Sequence, residues 1–191
     1  MHELFLWIYR QPLRHIVLWI TLLVFLWVYL GYREKNSLRW RLGNFLLFLG
    51  TVAAVFYMTV YTRGEGTGEA VLVPFQSFQA AKVQPELYRA MLMNVFLFVP
   101  LGLTLPFVLG KGWFPGFLTV LAGLAFSAGI EYLQYRYALG WCEVDDVIMN
   151  TLGAFLGSMA HWLFRNWELW IIPVSMYLRT VCRKLYEAIR K

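Results

Sequence analysis

Glu131, Gln134, Asp145, Asp146 and Asn150 interrupt an otherwise apolar stretch at spacings that chemistry can use. Glu131 and Asp146 are the candidate catalytic residues, because two carboxylates on neighbouring segments are the minimum for general acid–base work. Arg89, Asn94 and Arg136 extend the set with two cations and an amide. Together, Arg89, Asn94, Glu131, Gln134, Arg136, Asp145, Asp146 and Asn150 would line a pocket for a charged head group or substrate. The same groups can instead serve structure alone, with Glu131 paired to Arg89 or Arg136 and with Gln134 and Asn150 bonding between helices. Ionisable groups at membrane depth point by default to function. The oxygen set Glu131, Glu143, Asp145 and Asp146 suits a hard cation, but its spacing matches no calcium loop. His2, His15 and His161 are too scattered for zinc. No metal and no cofactor is expected. The sequence carries no GxSxG, HExxH or phosphate-binding loop, so nucleophile chemistry of the soluble kind has no support.

Two apolar segments must position these groups. On the first, about 112–135, Gly116, Gly123, Ser127, Glu131 and Gln134 share one side of a helix. On the second, about 146–164, Asp146, Asn150, Gly153 and Gly157 do the same. Gly123, Ser127, Gly153 and Gly157 are the expected helix-packing residues, since small side chains let membrane helices approach closely. The short turn 136–145 makes the two segments antiparallel neighbours. Their stripes would then face each other, small residues deep and polar residues gathered at one end. Upstream, Pro100 and Pro106 interrupt a third apolar segment and either bend it or free carbonyls to line a cavity.

Composition fixes the setting. Sixty per cent of the residues are hydrophobic and 15% are charged, with a mean hydropathy of +0.56. A soluble domain carries roughly 25% charged residues. The expected fold class is an all-α, polytopic membrane bundle of about five transmembrane helices. The other spans are Ile16–Tyr32, Asn44–Thr62 and Asn94–Gly110. Each approaches the ~20 residues a spanning helix needs. In lipid only such a helix satisfies its own backbone. The net charge of +6 falls between spans and in the tail. That is the positive-inside pattern, and no nucleic-acid partner is expected.

Orientation follows from the same charges. The loop Arg33–Arg41, the turn holding Lys111 and the tail from Arg165 are basic, which places them and the C-terminus in the cytoplasm. The loop Arg63–Arg89 and the turn 136–145 are then external. The glycines of "RGEGTGEA" (Arg63–Ala70) suggest a mobile link. Val71–Phe78 is apolar enough to fold back on the outer face. The chain divides into an N-terminal segment (1–43) with the first span and a basic cytoplasmic loop, a membrane domain (44–165) and a basic tail (166–191). "WELWIIPVSMYL" in that tail reads as an interfacial helix. The first span is followed by "REKNSLRWR", with no cleavage site of the signal-peptide kind. Cys142 and Cys182 would lie on opposite sides of the membrane and form no disulfide.

Three blocks carry a family resemblance: "RAMLMNVFLFVPLG" (Arg89–Gly102), "SAGIEYLQ" (Ser127–Gln134) and "EVDDVIMNTLGAFLG" (Glu143–Gly157). A weaker fourth is "LVPF" (Leu72–Phe75). In these the chain resembles the VanZ-like family of small membrane proteins, from roughly Phe45 to Phe164. The resemblance carries over Arg89, Asn94, Glu131, Gln134, Asp145, Asp146 and Asn150 as the polar residues of interest. The chain departs from the family pattern in having Glu143 where Asp is common, and no arginine directly before the acids. What the resemblance implies is a multi-pass protein of the bacterial cell envelope, associated with resistance to the glycopeptide teicoplanin. The implied partners are membrane lipids, a lipid-linked cell-wall precursor or the glycopeptide. The alternative is a membrane enzyme acting on a lipid-linked envelope substrate through a carboxylate pair.

Overall fold

The computed structural model describes residues 37–61, 63, 64, 66, 68–110 and 114–166, with Leu26 besides. The first expected span and the tail beyond residue 166 lie outside the described residues. Among the described residues four helices are long and apolar enough to cross a membrane, and the chain is an all-α polytopic bundle.

Helix α1 runs from Leu38 to Phe56 and continues as a π-helical turn, Tyr57–Tyr61. It begins six residues before the expected span because Ser37 caps it: the Ser37 hydroxyl accepts the Trp40 N–H at 3.1 Å. Arg39 and Arg41, expected in a loop, therefore stand on the first turn of a helix. Strand β1 (Ala70–Val71) and the short helix α2 (Gln76–Ala80) follow. Helix α3 spans Glu86–Leu109 and stays continuous through Pro100 and Pro106. Helix α4 spans Phe114–Arg136, strand β2 covers Cys142–Glu143, and helix α5 spans Val144–Arg165.

The core forms where α1, α3, α4 and α5 meet, around Val55, Phe98, Leu101, Leu105, Ile130 and Ala154. With no hydrophobic drive between helices in lipid, close packing must hold them. Glycine supplies it. A Cβ on Gly153 would overlap the Val95 carbonyl, one on Gly157 the Val99 carbonyl, and one on Gly102 the Ala154 carbonyl. The glycine pair of α5 therefore seats on α3. This corrects the expectation that it faces the stripe on α4. Against α4, α5 presents Ala154 to Gly123 and Asn150 to Ser127. The stripe on α5 is one face, as its period requires, but two neighbours share it.

Gly66, Ala70 and Val71 of the linker are also tied down rather than loose. Ala70 and Val71 pair in parallel with Cys142 and Glu143. The Gly66 N–H reaches the Ala138 carbonyl at 2.6 Å, and a side chain at Gly66 would strike Gly140. The glycines permit this close passage of two backbones. Beyond the ladder, Phe78 packs against Met91, Val95 and Met149, so the apolar loop folds back on the bundle.

Candidate functional site

The site is built at one end of the bundle, where α4 stops, α5 starts and the loop after α1 crosses over. Glu131 sits on the last two turns of α4 and is 4% exposed. Its Oε2 accepts the backbone N–H of Glu143 at 2.9 Å, so the carboxylate holds the turn into α5. One turn on, Gln134 is 1% exposed. Its Nε2 donates to the Thr59 carbonyl at 2.9 Å. That carbonyl lies in the π-helical turn, where the i to i−4 ladder of α1 has given way.

Arg63 is the residue that sequence reasoning missed. Its Nη2 lies 3.8 Å from Asp146 Oδ2, and its Nη1 is 3.5 Å from Gln134 Oε1. It also acts electrostatically on Glu131. Arg136, one of the expected basic partners, does not fill this role. Arg136 is two residues past Gln134, a rotation of ~200°, and so leaves the buried face. Its guanidinium instead stands 6.0 Å from the Tyr137 ring centroid. Arg89 is half-buried on the first turn of α3. Arg63 was hidden because its position depends on the β1–β2 ladder, which folds the linker over the helix ends. The one sequence signal was the weak "LVPF" block just beyond it.

Asp146 also takes a hydrogen bond from the side chain of Asn94, bringing α3 into the cluster. Asn150, one turn deeper, donates from Nδ2 to Ser127 Oγ at 2.9 Å. Its Oδ1 is buried without a partner. Thus Asn94, Glu131, Gln134, Asp146 and Asn150 are brought together with Ser127 and Arg63.

Asp145 points elsewhere. It is 2% exposed and accepts the N–H groups of Phe75 at 2.6 Å and Ser77 at 2.8 Å. Phe75 has φ 65, the left-handed region that costs a non-glycine residue about 1–3 kcal/mol. A carboxylate on two amide donors at the start of α2 offsets that strain. The Ser77 hydroxyl donates to Glu143 Oε2 at 2.9 Å, which closes the loop over the turn. Asp145 is therefore the anchor of the loop, and Asp146 beside it is the group that faces the arginine.

Cys142, a free thiol, borders the acids. Burial first, and then the charges of Glu131, Asp146 and Glu143, push its pKa above the ordinary thiol value. Among the described residues no group of three or more His, Cys, Asp or Glu side chains is arranged to hold a metal ion. Cys182 lies outside the described residues. Chemically, the cluster offers a half-exposed guanidinium between carboxylates, with amides behind it. Such an arrangement can re-pair with an incoming anion or ammonium group.

A family model described as VanZ/LLP1 matches residues 45–165, which contain every residue of this cluster. Protein VanZ of Enterococcus faecium is 39% identical over 71 residues, 37% of this chain. The match spans 42% of that relative, less than half its length. No solved structure matches the chain.

Proposed function

The chain belongs to the VanZ/LLP1 family, and from that premise we propose that it is a bacterial cell-envelope protein whose polar cluster binds an envelope ligand. The ligand classes are a membrane lipid head group, a lipid-linked cell-wall precursor or a glycopeptide. Engagement of one of them would lower susceptibility to teicoplanin. The observation that carries this reading is the long Arg63–Asp146 pair, 3.8 Å, with side chains 35% and 16% exposed. A pair this long, at the rim of a buried network, is the point where a ligand can exchange for an internal partner. Behind it, Asn94 and Gln134 hold the two charges in place.

The cluster end faces outward in this proposal, and the C-terminus is cytoplasmic, in keeping with the basic residues at the other end. A membrane-impermeant maleimide applied to intact cells at alkaline pH, where the raised Cys142 thiol reacts, would label Cys142 in a Cys182→Ser background; labelling only after permeabilisation reverses the orientation. For function, deletion of the gene is expected to increase teicoplanin susceptibility. Arg63→Gln, inserted at normal abundance, should do the same. Unchanged susceptibility after deletion removes the resistance role.

A second reading keeps the carboxylate pair as acid and base. It is favoured by the electrostatic coupling of Glu131 to Asp146 across the α4–α5 junction. It requires Glu131→Gln to abolish turnover of a lipid-linked substrate while the protein still folds and inserts.

A further inference from the structure

The far end of the α4–α5 pair carries a feature that the polar cluster does not explain. A groove of about 410 Å³ opens there between the first turns of α4 and the last turns of α5. That volume is within the ~300–1,000 Å³ of small-molecule sites. Its walls are Phe117 and Val120 on one side and Phe155, Met159 and Trp162 on the other. Gly116 keeps it open, since a Cβ there would stand 2.9 Å from Ser158 Oγ. The groove runs along two membrane-spanning helices, so what reaches it from the side is lipid.

Charge at the mouth narrows the occupant. Arg165 follows His161 by one turn on α5 and acts on it electrostatically. The Arg165 Nη1 donates to the Gly110 carbonyl at 3.0 Å, which holds the exposed guanidinium at the helix ends. His161 lines the groove one turn inside Arg165, about 6 Å deeper along the axis. Its ring is 5% exposed, is held on the Leu103 backbone and against Phe107, and has a buried Nδ1 without a partner. A cation at the interface, a polar ring and the Ser158 hydroxyl just inside it, and an aromatic-walled apolar slot beyond match a phospholipid from phosphate through ester to acyl chain. Basic pockets between transmembrane helices take anionic head groups.

We propose that the α4–α5 groove is a binding site for one anionic phospholipid, its acyl chain between Phe117 and Phe155 and its phosphate on Arg165. The site is independent of the polar cluster at the other end and of the ligand that cluster takes.

The test is native mass spectrometry of the purified full chain, released from mixed micelles holding equal phosphatidylglycerol and phosphatidylcholine. The wild type should retain phosphatidylglycerol about fivefold over phosphatidylcholine, the scale of one basic residue at a membrane surface. Arg165→Gln should bring the ratio near unity. Val120→Trp, which fills the slot and leaves the charge, should reduce the retention of both lipids. Soluble glycerophosphoglycerol, a head group without chains, should not compete; effective competition would make the site a free-phosphate site and overturn the lipid proposal. Equal retention of the two lipids by the wild type, a wild-type ratio in Arg165→Gln, or wild-type retention of both lipids in Val120→Trp would overturn it as well.

Discussion

Helix α5 is held from two sides by different physics. Toward α3 it presents Gly153 and Gly157, and backbone meets backbone at Val95, Val99 and Gly102. Toward α4 it presents Asn150 and Ala154, and Asn150 reaches Ser127 through a side-chain hydrogen bond. The first contact fixes where the helix stands, because main chain cannot repack around an added atom. The second leaves freedom, since an amide or an arginine changes partner by rotating a bond. Rigidity is placed on one side of α5 and exchangeable chemistry on the other.

The most direct way to break this contrast is to add one methyl group to each side. Gly153→Ala drives a Cβ into the Val95 carbonyl, and relief requires moving α3. Overpacking of this kind costs about 1–3 kcal/mol, and the upper end is expected here. Gly123→Ala meets only the Ala154 methyl, at 2.6 Å. The helix-propensity gain of ~1 kcal/mol accompanies both substitutions, so the difference lies in the clash: one methyl for Gly123, against the Val95 carbonyl, closer still, and the Phe98 Cβ at 3.0 Å for Gly153. Thermal unfolding in detergent should therefore separate the two variants, with Gly153→Ala far less stable. Equal losses would mean that the two sides of α5 are alike.

A second substitution tests the anchor. Asp145→Ala leaves the Phe75 and Ser77 amides without their carboxylate. Hydrogen bonds to a charged group contribute ~1.5–3 kcal/mol each, so the loop should detach before the bundle melts. Hydrogen exchange over residues 73–80 should accelerate, while the middle of α3 stays protected. Acceleration throughout the chain would show that the loop and the bundle unfold as one unit.

These contacts also mark what the sequence could reveal. Membrane helices were legible because twenty apolar residues in a row have few other solutions. The inward faces of α4 and α5 were legible from a period of 3.6. Periodicity gives a direction, however, and not a neighbour. The stripe Asp146, Asn150, Gly153 and Gly157 pointed inward as expected, yet its glycines met α3. Arg63 was illegible for a related reason. It lies in a linker without a period, and two residues of parallel pairing with β2 decide its place. Glu131, Asp146, Asn94, Gln134 and Asn150 were named in advance because polar groups are rare in such segments. Which cation joins them was not, because that depends on how a loop crosses the helix ends.

A smaller effect is expected from Asn150→Leu. Interhelical hydrogen bonds in membranes average ~0.6 kcal/mol. The substitution loses the bond to Ser127 but also removes the unpartnered Oδ1. The buried Ser127 hydroxyl loses its donor while the orphaned Oδ1 is removed, and because the two effects oppose each other, stability should change by about 1 kcal/mol or less. A larger loss would assign Asn150 a fixing role like that of the glycines, and the contrast between the two sides of α5 would fail there.

The least perturbing probe is the thiol of Cys142, beside the exchangeable side. Its pKa is raised, first by burial and then by Glu131, Asp146 and Glu143. The thiolate is the reactive form, so alkylation should be slow at neutral pH and should rise only above the range of an ordinary thiol. Glu143→Gln keeps an oxygen for the Ser77 hydroxyl and removes one negative charge. That change should lower the thiol pKa and shift the rate profile to lower pH in a Cys182→Ser background. Burial is the larger cause and remains, so the profile should stop short of the free-thiol curve. A profile that Glu143→Gln leaves unmoved would mean that Glu143 does not act on the thiol, and Glu143 would then stand outside the electrostatic unit that Glu131 and Asp146 form at the mouth of the bundle.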